Sequence, residues 1–413
     1  MHQLLTKKIK ILLLPFIILS SAALSNTIYA DDGIQEQTFD QKVDKAIALS
    51  LAHLESSVAL IKDPTLFPTY ANKELAWNLN TSHKWTAGFY PGSLWQAYKL
   101  SGDQRYQTWA KQWTETLADQ VNDDGSHDLG FKFMCTFGNA LVFSDDIDKE
   151  SYKQTILAAA ATLAKRYQPK IGLISSDWDD KHFENSTPVV SDIMMNLELL
   201  LWAAENGGDK KWAEYAKIHA LKTYKDFVRE NGSSYHIVRY NKDSGAIINK
   251  GTLQGDGDET TWSRGHAWMV YGMVVMYRYT QDPTYLNYAK TLSNYFMSRL
   301  AADGISMWDL DSNILQPDTS ASAIFASALI EMSGYIKETG QRKKFTKQYH
   351  VILSALMSKP YFIEDTSKAP IIDRSVHYYT KPSAIDVPAS FTDYYFLEAL
   401  NRYKQRQRQE HIN

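Results

Sequence analysis

Ser101-Gly102-Asp103-Gln104-Arg105-Tyr106, followed by Ala110-Lys111, decides the fold because it returns along the chain. Gly207-Gly208-Asp209-Lys210-Lys211-Trp212 precedes Ala216-Lys217, and Thr280-Gln281-Asp282-Pro283-Thr284-Tyr285 precedes Ala289-Lys290. Gly340-Gln341 with Phe345 is a decayed fourth copy. Each copy joins an apolar helix to a more polar amphipathic one: Gly ends the first, Asp caps the second, and the aromatic anchors it. Repeated helix pairs build either an open solenoid or a closed toroid. The Asp positions lie 106 and then 73 residues apart, too uneven for a solenoid of standard repeats.

Apolar repetition of the 3.6-residue type marks about twelve segments between 39–61 and 391–405, among them 103–121, 128–143 and 189–206. Alternating strand patterns are scarce. Ser234 to Arg239 and Ala246 to Asn249 are the best, and they predict a short hairpin around Lys242-Asp243-Ser244-Gly245. Twelve helices make six pairs, and alternation of buried with amphipathic helices suits two concentric rings. The expectation is an all-α, single-domain (α/α)6 barrel over residues 31–413. No Ser/Gly-rich linker or composition shift divides it.

The first thirty residues read differently. Lys7, Lys8 and Lys10 precede an apolar run from Ile11 to Leu24, and a small residue, Ala30, stands before Asp31. This is the pattern of a secretory signal peptide cut after Ala30, and the run is short for a retained membrane anchor. A periplasmic or secreted monomer is expected, free of the membrane once the signal is cleaved. Loss of three Lys and no acid takes the formal net charge from −3 to about −6, which argues against a nucleic-acid partner. The lone Cys135 excludes an intrachain disulfide. No His-x-x-x-His, Gly-x-Gly-x-x-Gly or Walker pattern occurs, so neither a metal nor a cofactor is expected.

Three polar clusters resist a core reading. Gly255-Asp256-Gly257-Asp258-Glu259-Thr260-Thr261-Trp262-Ser263-Arg264-Gly265-His266-Ala267-Trp268 runs from an acidic loop into an apolar helix. An aromatic plane beside a fixed cation suits a sugar carrying a carboxylate; the plain alternative is that Arg264 caps the helix or pairs with Asp258 or Glu259. Ser126-His127-Asp128-Leu129-Gly130-Phe131 sets His beside Asp before an apolar run, with Asp128 as an ordinary N-cap the alternative. In Ser191-Asp192-Ile193-Met194-Met195-Asn196, Asp192 starts a very apolar helix. If Ser191 caps that helix, Asp192 is left as a desolvated carboxyl that favours its protonated form, as a proton donor requires. Asn196, four residues on, shares its face. The alternative is Asp192 itself as the cap.

These clusters, with Thr252-Leu253-Gln254-Gly255, resemble the unsaturated glucuronyl hydrolases, glycoside hydrolase family 88. Further blocks of the resemblance are Lys84-Trp85-Thr86-Ala87-Gly88-Phe89-Tyr90-Pro91-Gly92, Ile305-Ser306-Met307-Trp308-Asp309-Leu310-Asp311, Asp318-Thr319-Ser320-Ala321-Ser322-Ala323, and Asp386-Val387-Pro388 with Asp393-Tyr394-Tyr395-Phe396. The resemblance implies an (α/α)6 barrel acting on the Δ4,5-unsaturated uronic acid that polysaccharide lyases leave at the non-reducing end. Unsaturated uronyl disaccharides and oligosaccharides from glycosaminoglycans or ulvan are the implied substrates. It implies that Asp192 protonates C4 and then activates water, while ionised Asp128 holds sugar hydroxyls and stabilises the cation. It also carries over His236, Gln254, Arg264 and Trp268 near the sugar, Trp85 as a stacking face, and His127 and Trp178 as further contacts.

Two departures stand out. Leu253-Gln254-Gly255-Asp256-Gly257-Asp258 replaces the family's common Tyr-Gln-Gly-Tyr-Ala-Asp. The Ser375-to-Ser383 run lies where members differ in handling sulfate, with Lys381 and Ser383 as candidate contacts or a solvated loop as the alternative. Three competing readings remain at this stage: an unsaturated rhamnogalacturonyl hydrolase on pectin fragments, an inverting endoglycanase, and a non-enzymatic periplasmic binder of anionic sugars.

Overall fold

Two of the repeated Asp residues, Asp103 and Asp282, cap helices as their chemistry predicts, whereas Asp209 lies one residue before the N-cap, Lys210. In the computed structural model, which describes residues 37–176 and 183–412, Asp103 accepts from Arg105 N–H at 2.9 Å and Asp282 from Thr284 N–H at 2.8 Å. Asp209 accepts from Lys211 N–H at 2.9 Å. In the decayed copy Glu338 takes over, receiving the N–H groups of Gly340 and Gln341. The signal-peptide reading of 1–30 lies outside the described residues.

In chain order the first helices are α1 (Phe39–Ile61), α2 (Phe89–Ser101), α3 (Gln104–Glu115), α4 (Leu129–Phe133), α5 (Asn139–Phe143), α6 (Lys149–Ala164) and α7 (Ile193–Glu205). After them come α8 (Lys211–Phe227), α9 (Ser263–Thr280), α10 (Pro283–Ser298), α11 (Thr319–Tyr335), α12 (Thr339–Leu356) and α13 (Ser390–Ile412). A π-helical turn over Met134–Gly138 joins α4 to α5 into one irregular rod. With that pair counted as one, the described helices number twelve.

They form two rings. In the inner ring α13 packs on α2, α2 on α5, α4 on α7, α7 on α9, α9 on α11, and α11 on α13, which closes the circle. Outside it, α1 covers α13, α3 covers α2, α6 and α8 cover α7, α10 covers α9, and α12 covers α11. Burial follows the rings: α9 is buried from Ser263 through Met276, whereas α12 buries only Phe345, Tyr349, Ile352, Leu353 and Leu356. A helix buried all round belongs inside, and one with a narrow apolar stripe belongs outside. The protein is an (α/α)6 barrel.

The structure departs from the sequence reading where loops meet the barrel mouth. The segment expected as helix from 189 begins as a strand, β1 (Ser186–Val190), and α7 starts only at Ile193. β1 pairs antiparallel with β2 (Ile237–Asn241), Val190 opposite Ile237, and β2 pairs with β3 (Ile247–Gly251). The expected hairpin is therefore present, shifted by a few residues and extended by a third strand. The Val-Val of β1 suits a buried strand, Pro188 is tolerated because β1 is an edge of this sheet, and a period count cannot separate a short apolar strand from a helix start. This sheet positions the site: Ser191 N–H donates to the His236 carbonyl at 2.9 Å, setting Asp192 beside His236.

Candidate active site

The N-terminal ends of α2, α4, α7, α9, α11 and α13 converge on one mouth of the barrel. Arg264 near the start of α9 reaches Asp318, which caps α11, and stacks over Phe391 at the start of α13. Helix N-termini carry partial positive charge, which here meets the carboxyl groups of Asp128, Asp192 and Asp318 at the starts of α4, α7 and α11.

Asp192 occupies the N-cap position of α7 but makes no side-chain cap bond. Ser191, the expected cap, instead donates its hydroxyl to Asp192 Oδ2 at 3.0 Å. His236 Nε2 lies 3.6 Å from the same oxygen. The Asp192 side chain is 14% exposed, a narrow window onto the mouth. Burial, reinforced by the charge of Asp128, pushes its pKa up to about 6, against the opposing pull of His127, Arg264 and the Ser191 hydroxyl. A carboxyl with that value holds a proton near neutral pH and can release it.

Asp128 likewise takes an N-cap position, on α4, without a side-chain cap bond. Its Oδ1 accepts from Asn196 Nδ2 at 3.1 Å, and His127 Nε2 stands 3.5 Å away. Capping is therefore not what either aspartate does with its side chain. Asn196 Nδ2 also donates to the Asp192 carbonyl at 3.3 Å, so the two acidic positions share one neighbour.

His236 is buried, and that burial, with the nearby Arg264 charge, lowers its pKa to about 3. Its Nδ1 receives Leu253 N–H at 3.2 Å, and its ring tilts against Trp262 with centroids 4.4 Å apart. Gln254 follows Leu253: its carbonyl accepts from Trp308 Nε1 at 2.7 Å, and its Oε1 accepts from Arg264 Nη2 at 3.1 Å.

Arg264 is 1% exposed. Neither Asp258 nor Glu259 is its counter-ion. Asp258 turns back to accept from Thr252 N–H, and Glu259 faces Arg229. The partner is Asp318, 3.3 Å from Nη1, which sequence proximity could not reveal across 54 residues. Nη1 also donates to Ser320 Oγ and the Val376 carbonyl, and Nη2 donates to the His377 carbonyl at 2.9 Å. Burial tends to strip the charge, while Asp318 and Asp192 hold it. The guanidinium is thus a brace joining α9, α11 and the 375–385 segment, and a two-pronged grip on a substrate carboxylate would require it to release Gln254 and His377.

Trp268, expected to line the pocket, has no exposed surface; it packs between Phe131 and Tyr395 at centroid distances of 5.0 and 5.1 Å. It supports the wall from behind. His266 is also withdrawn from the mouth, bonded to Ser234 Oγ at 2.7 Å and the Leu292 carbonyl at 3.0 Å. Trp85 is half-buried and parallel to His377 with centroids 6.2 Å apart, and Tyr70 also stacks on the His377 ring, at 4.9 Å. His377 was not singled out in the sequence, since more than 290 residues separate it from Trp85 and no local pattern marks it. Lys381 Nζ bonds Tyr70 Oη at 2.8 Å. Trp178 lies outside the described residues.

The match to known proteins agrees with this geometry. The model of Glycosyl Hydrolase Family 88 matches residues 64–396. An unsaturated glucuronyl hydrolase of Formosa agariphila is 38% identical over 327 residues, covering 78% of this chain and 80% of that protein. An unsaturated chondroitin disaccharide hydrolase of Streptococcus pyogenes is 29% identical over 371 residues, covering 88% of this chain and 91% of its own. A crystal structure of an unsaturated glucuronyl hydrolase specific for heparin superposes with a TM-score of 0.84 at 34% identity, over 89% of this chain and 98% of that one. The resemblance read from the sequence blocks is borne out: this chain belongs to glycoside hydrolase family 88.

Proposed function

We propose that this glycoside hydrolase removes the Δ4,5-unsaturated uronic acid from the non-reducing end of lyase-generated oligosaccharides by hydrating its C4=C5 enol ether. The observation that carries the reading is Asp192, a carboxyl with a pKa near 6 set beside a second acidic residue at a mouth ringed by helix N-termini. The naming of the relatives as unsaturated glucuronyl and chondroitin disaccharide hydrolases supports the substrate class and disfavours the pectin and binding-protein readings.

In this mechanism Asp192 transfers its proton to C4, and positive charge spreads over C5 and the ring oxygen. Asp128, ionised, stabilises that charge and holds sugar hydroxyls. Asp192, now a carboxylate, takes a proton from the water that adds at C5. The hemiketal formed at C5 opens to a ketone, leaving a hemiacetal at C1, which collapses to an aldehyde and releases the remaining sugar as an alcohol. One water is consumed, and the enzyme ends in its starting protonation state. No bond at C1 is attacked directly, unlike the two-carboxylate routes of ordinary glycosidases.

His236 and Gln254 contact the uronate, Trp85 offers a face for the ring, and His127 flanks Asp128. The substrate carboxylate faces the converging helix ends, with Arg264 contributing charge from behind. The parent polymer is a glycosaminoglycan or ulvan. The enzyme acts as a monomer, and it is exported to the periplasm or medium on the strength of the Lys7-to-Ala30 segment. The test is loss of the conjugated double-bond absorbance of lyase-generated disaccharides, abolished in D192N. Persistence of that absorbance across glycosaminoglycan and ulvan disaccharides would refute the reading.

A further inference from the structure

We propose that Asn196 is a positioning residue that fixes the Asp128 carboxylate relative to Asp192 and holds it in its charged form. The inference rests on the hydration reading above and adds to it a residue with no contact to the reacting atoms.

Asn196 has no exposed surface, and both ends of its amide are engaged. Its Oδ1 accepts from Phe131 N–H at 3.0 Å, inside the first turn of α4. Its Nδ2 donates to Asp128 Oδ1 at 3.1 Å and to the Asp192 carbonyl at 3.3 Å. The oxygen must face the N–H, so the nitrogen must face the carboxylate; the orientation of the amide follows from its partners. One side chain therefore ties the start of α4, the start of α7 and the Asp128 carboxylate together.

The backbone has been shaped for this contact. A Cβ at Gly130 would lie 2.5 Å from Asn196 Cα and 2.8 Å from its Oδ1, so only glycine lets α4 come this close. A donor aimed at a carboxylate favours its ionised form, and a buried donor does so strongly. The charge so retained on Asp128 is the same charge that raises the proton affinity of Asp192. Asn196 thus acts on the acid through the Asp128 carboxylate it holds.

The discriminating variant is N196D. It keeps the volume and keeps an oxygen for Phe131 N–H, but at neutral pH it turns an oxygen toward Asp128. The expected result is a kcat at least about tenfold lower near pH 7, with KM within about twofold, the kinetic equivalent of losing one hydrogen bond to a charged group. The deficit should shrink as pH falls, because the protonated acid regains a donor. N196S, neutral and too short to reach Asp128, should lose kcat without that recovery. A wild-type kcat and pH profile in N196D overturns the proposal. So does an equal loss in N196D and N196S at every pH accompanied by a lowered Tm, which marks a packing role. Should either variant fail to fold, the other still carries the kcat and pH comparison. Should both fail to fold, a packing role is shown and the proposal is overturned. D192N separates the two readings: activity surviving in D192N defeats the assignment of Asp192 as the acid, on which the inference rests, whatever N196D shows.

Discussion

His236 Nε2 lies 3.6 Å from Asp192 Oδ2, while its other ring nitrogen accepts the Leu253 N–H at 3.2 Å. Because Nδ1 is an acceptor, the proton of the neutral ring sits on Nε2, the nitrogen nearer the acid. Burial, with the nearby Arg264 charge, holds the His236 pKa down at about 3, so the ring stays neutral through the working range and offers an N–H without a full charge. A cation there would strip Asp192 of its proton; a neutral donor lets burial and Asp128 keep the pKa near 6. The strand pairing that places Val190 opposite Ile237 is what enforces this neighbourhood.

The first prediction concerns pH. Asp192 must be protonated to act as acid, and its pKa is raised to about 6, so kcat/KM should be full below that value and fall as pH rises through it. D192N should reduce kcat by at least about a hundredfold, as expected for loss of a general acid. A kcat/KM that stays flat from pH 5 to pH 9, or an Asn variant with a tenth of normal turnover, would show that another group donates the proton.

Asp128 supplies the second. Burial is the largest cause of the Asp192 shift and Asp128 the next, so D128N should move the alkaline limb of residual activity to lower pH. It should also cut kcat with little change in KM, because its main work is in the charged transition state. A rise in KM alone, with the limb unmoved, would reduce Asp128 to a sugar contact.

The third prediction is about stability at the opposite end of the barrel. Glu331 accepts two bonds of 2.7 Å from Arg278 and lies 2.8 Å from Arg402 Nη2. Burial by itself would raise its pKa, but the two arginines outweigh it and hold it down at about 2. A carboxylate lowered on folding stabilises the fold above its unfolded value of about 4.3, and that contribution is lost as pH falls toward 2. E331Q leaves Arg278 with Glu198 and Arg402 with Glu398 as remaining counter-charges, and should cost about 1–3 kcal/mol in urea unfolding near neutral pH. The difference from wild type should narrow in acid; a gap that stays constant down to pH 2.5 would contradict the assignment.

Much of the barrel was legible because capping and periodicity are local. Asp103, Asp209 and Asp282 each bond an N–H two residues ahead, a contact that sequence order alone specifies. Asp128 and Asp192 were singled out for the same reason, since acids at the start of apolar helices are visible in one dimension, and Asn196 follows from its spacing of four from Asp192. What escaped is set by long-range packing. β1 was hidden because Val189-Val190 continues an apolar pattern into α7, and only its pairing with β2 makes it a strand. The closeness of α4 to α7 depends on Gly130, and that of α9 to Ser191 on Gly265, where a Cβ would lie 2.8 Å from the Ser191 hydroxyl. His377 joins the site only because the 375–385 segment crosses from α12 to the mouth, where its carbonyl accepts from Arg264 Nη2.

Arg264 carries the last prediction. From sequence it is the natural partner for a substrate carboxylate, since a guanidinium grips carboxylates with two parallel bonds. In the fold those donors already serve Asp318, Ser320, Gln254 and the carbonyls of Val376 and His377, and the side chain is fully buried. Its planar fork spans partners in the loop before α9 (Gln254), at the start of α11 and in the 375–385 segment that a single ammonium cannot reach at once. R264K should therefore lower Tm and lose activity together, because Gln254 and His377 are released from their places at the mouth. The loss should be of similar size on the free unsaturated uronate and on its methyl ester, since the damage is to the frame. A loss confined to the free acid, with Tm unchanged, would show that Arg264 leaves its brace to bind the carboxylate directly.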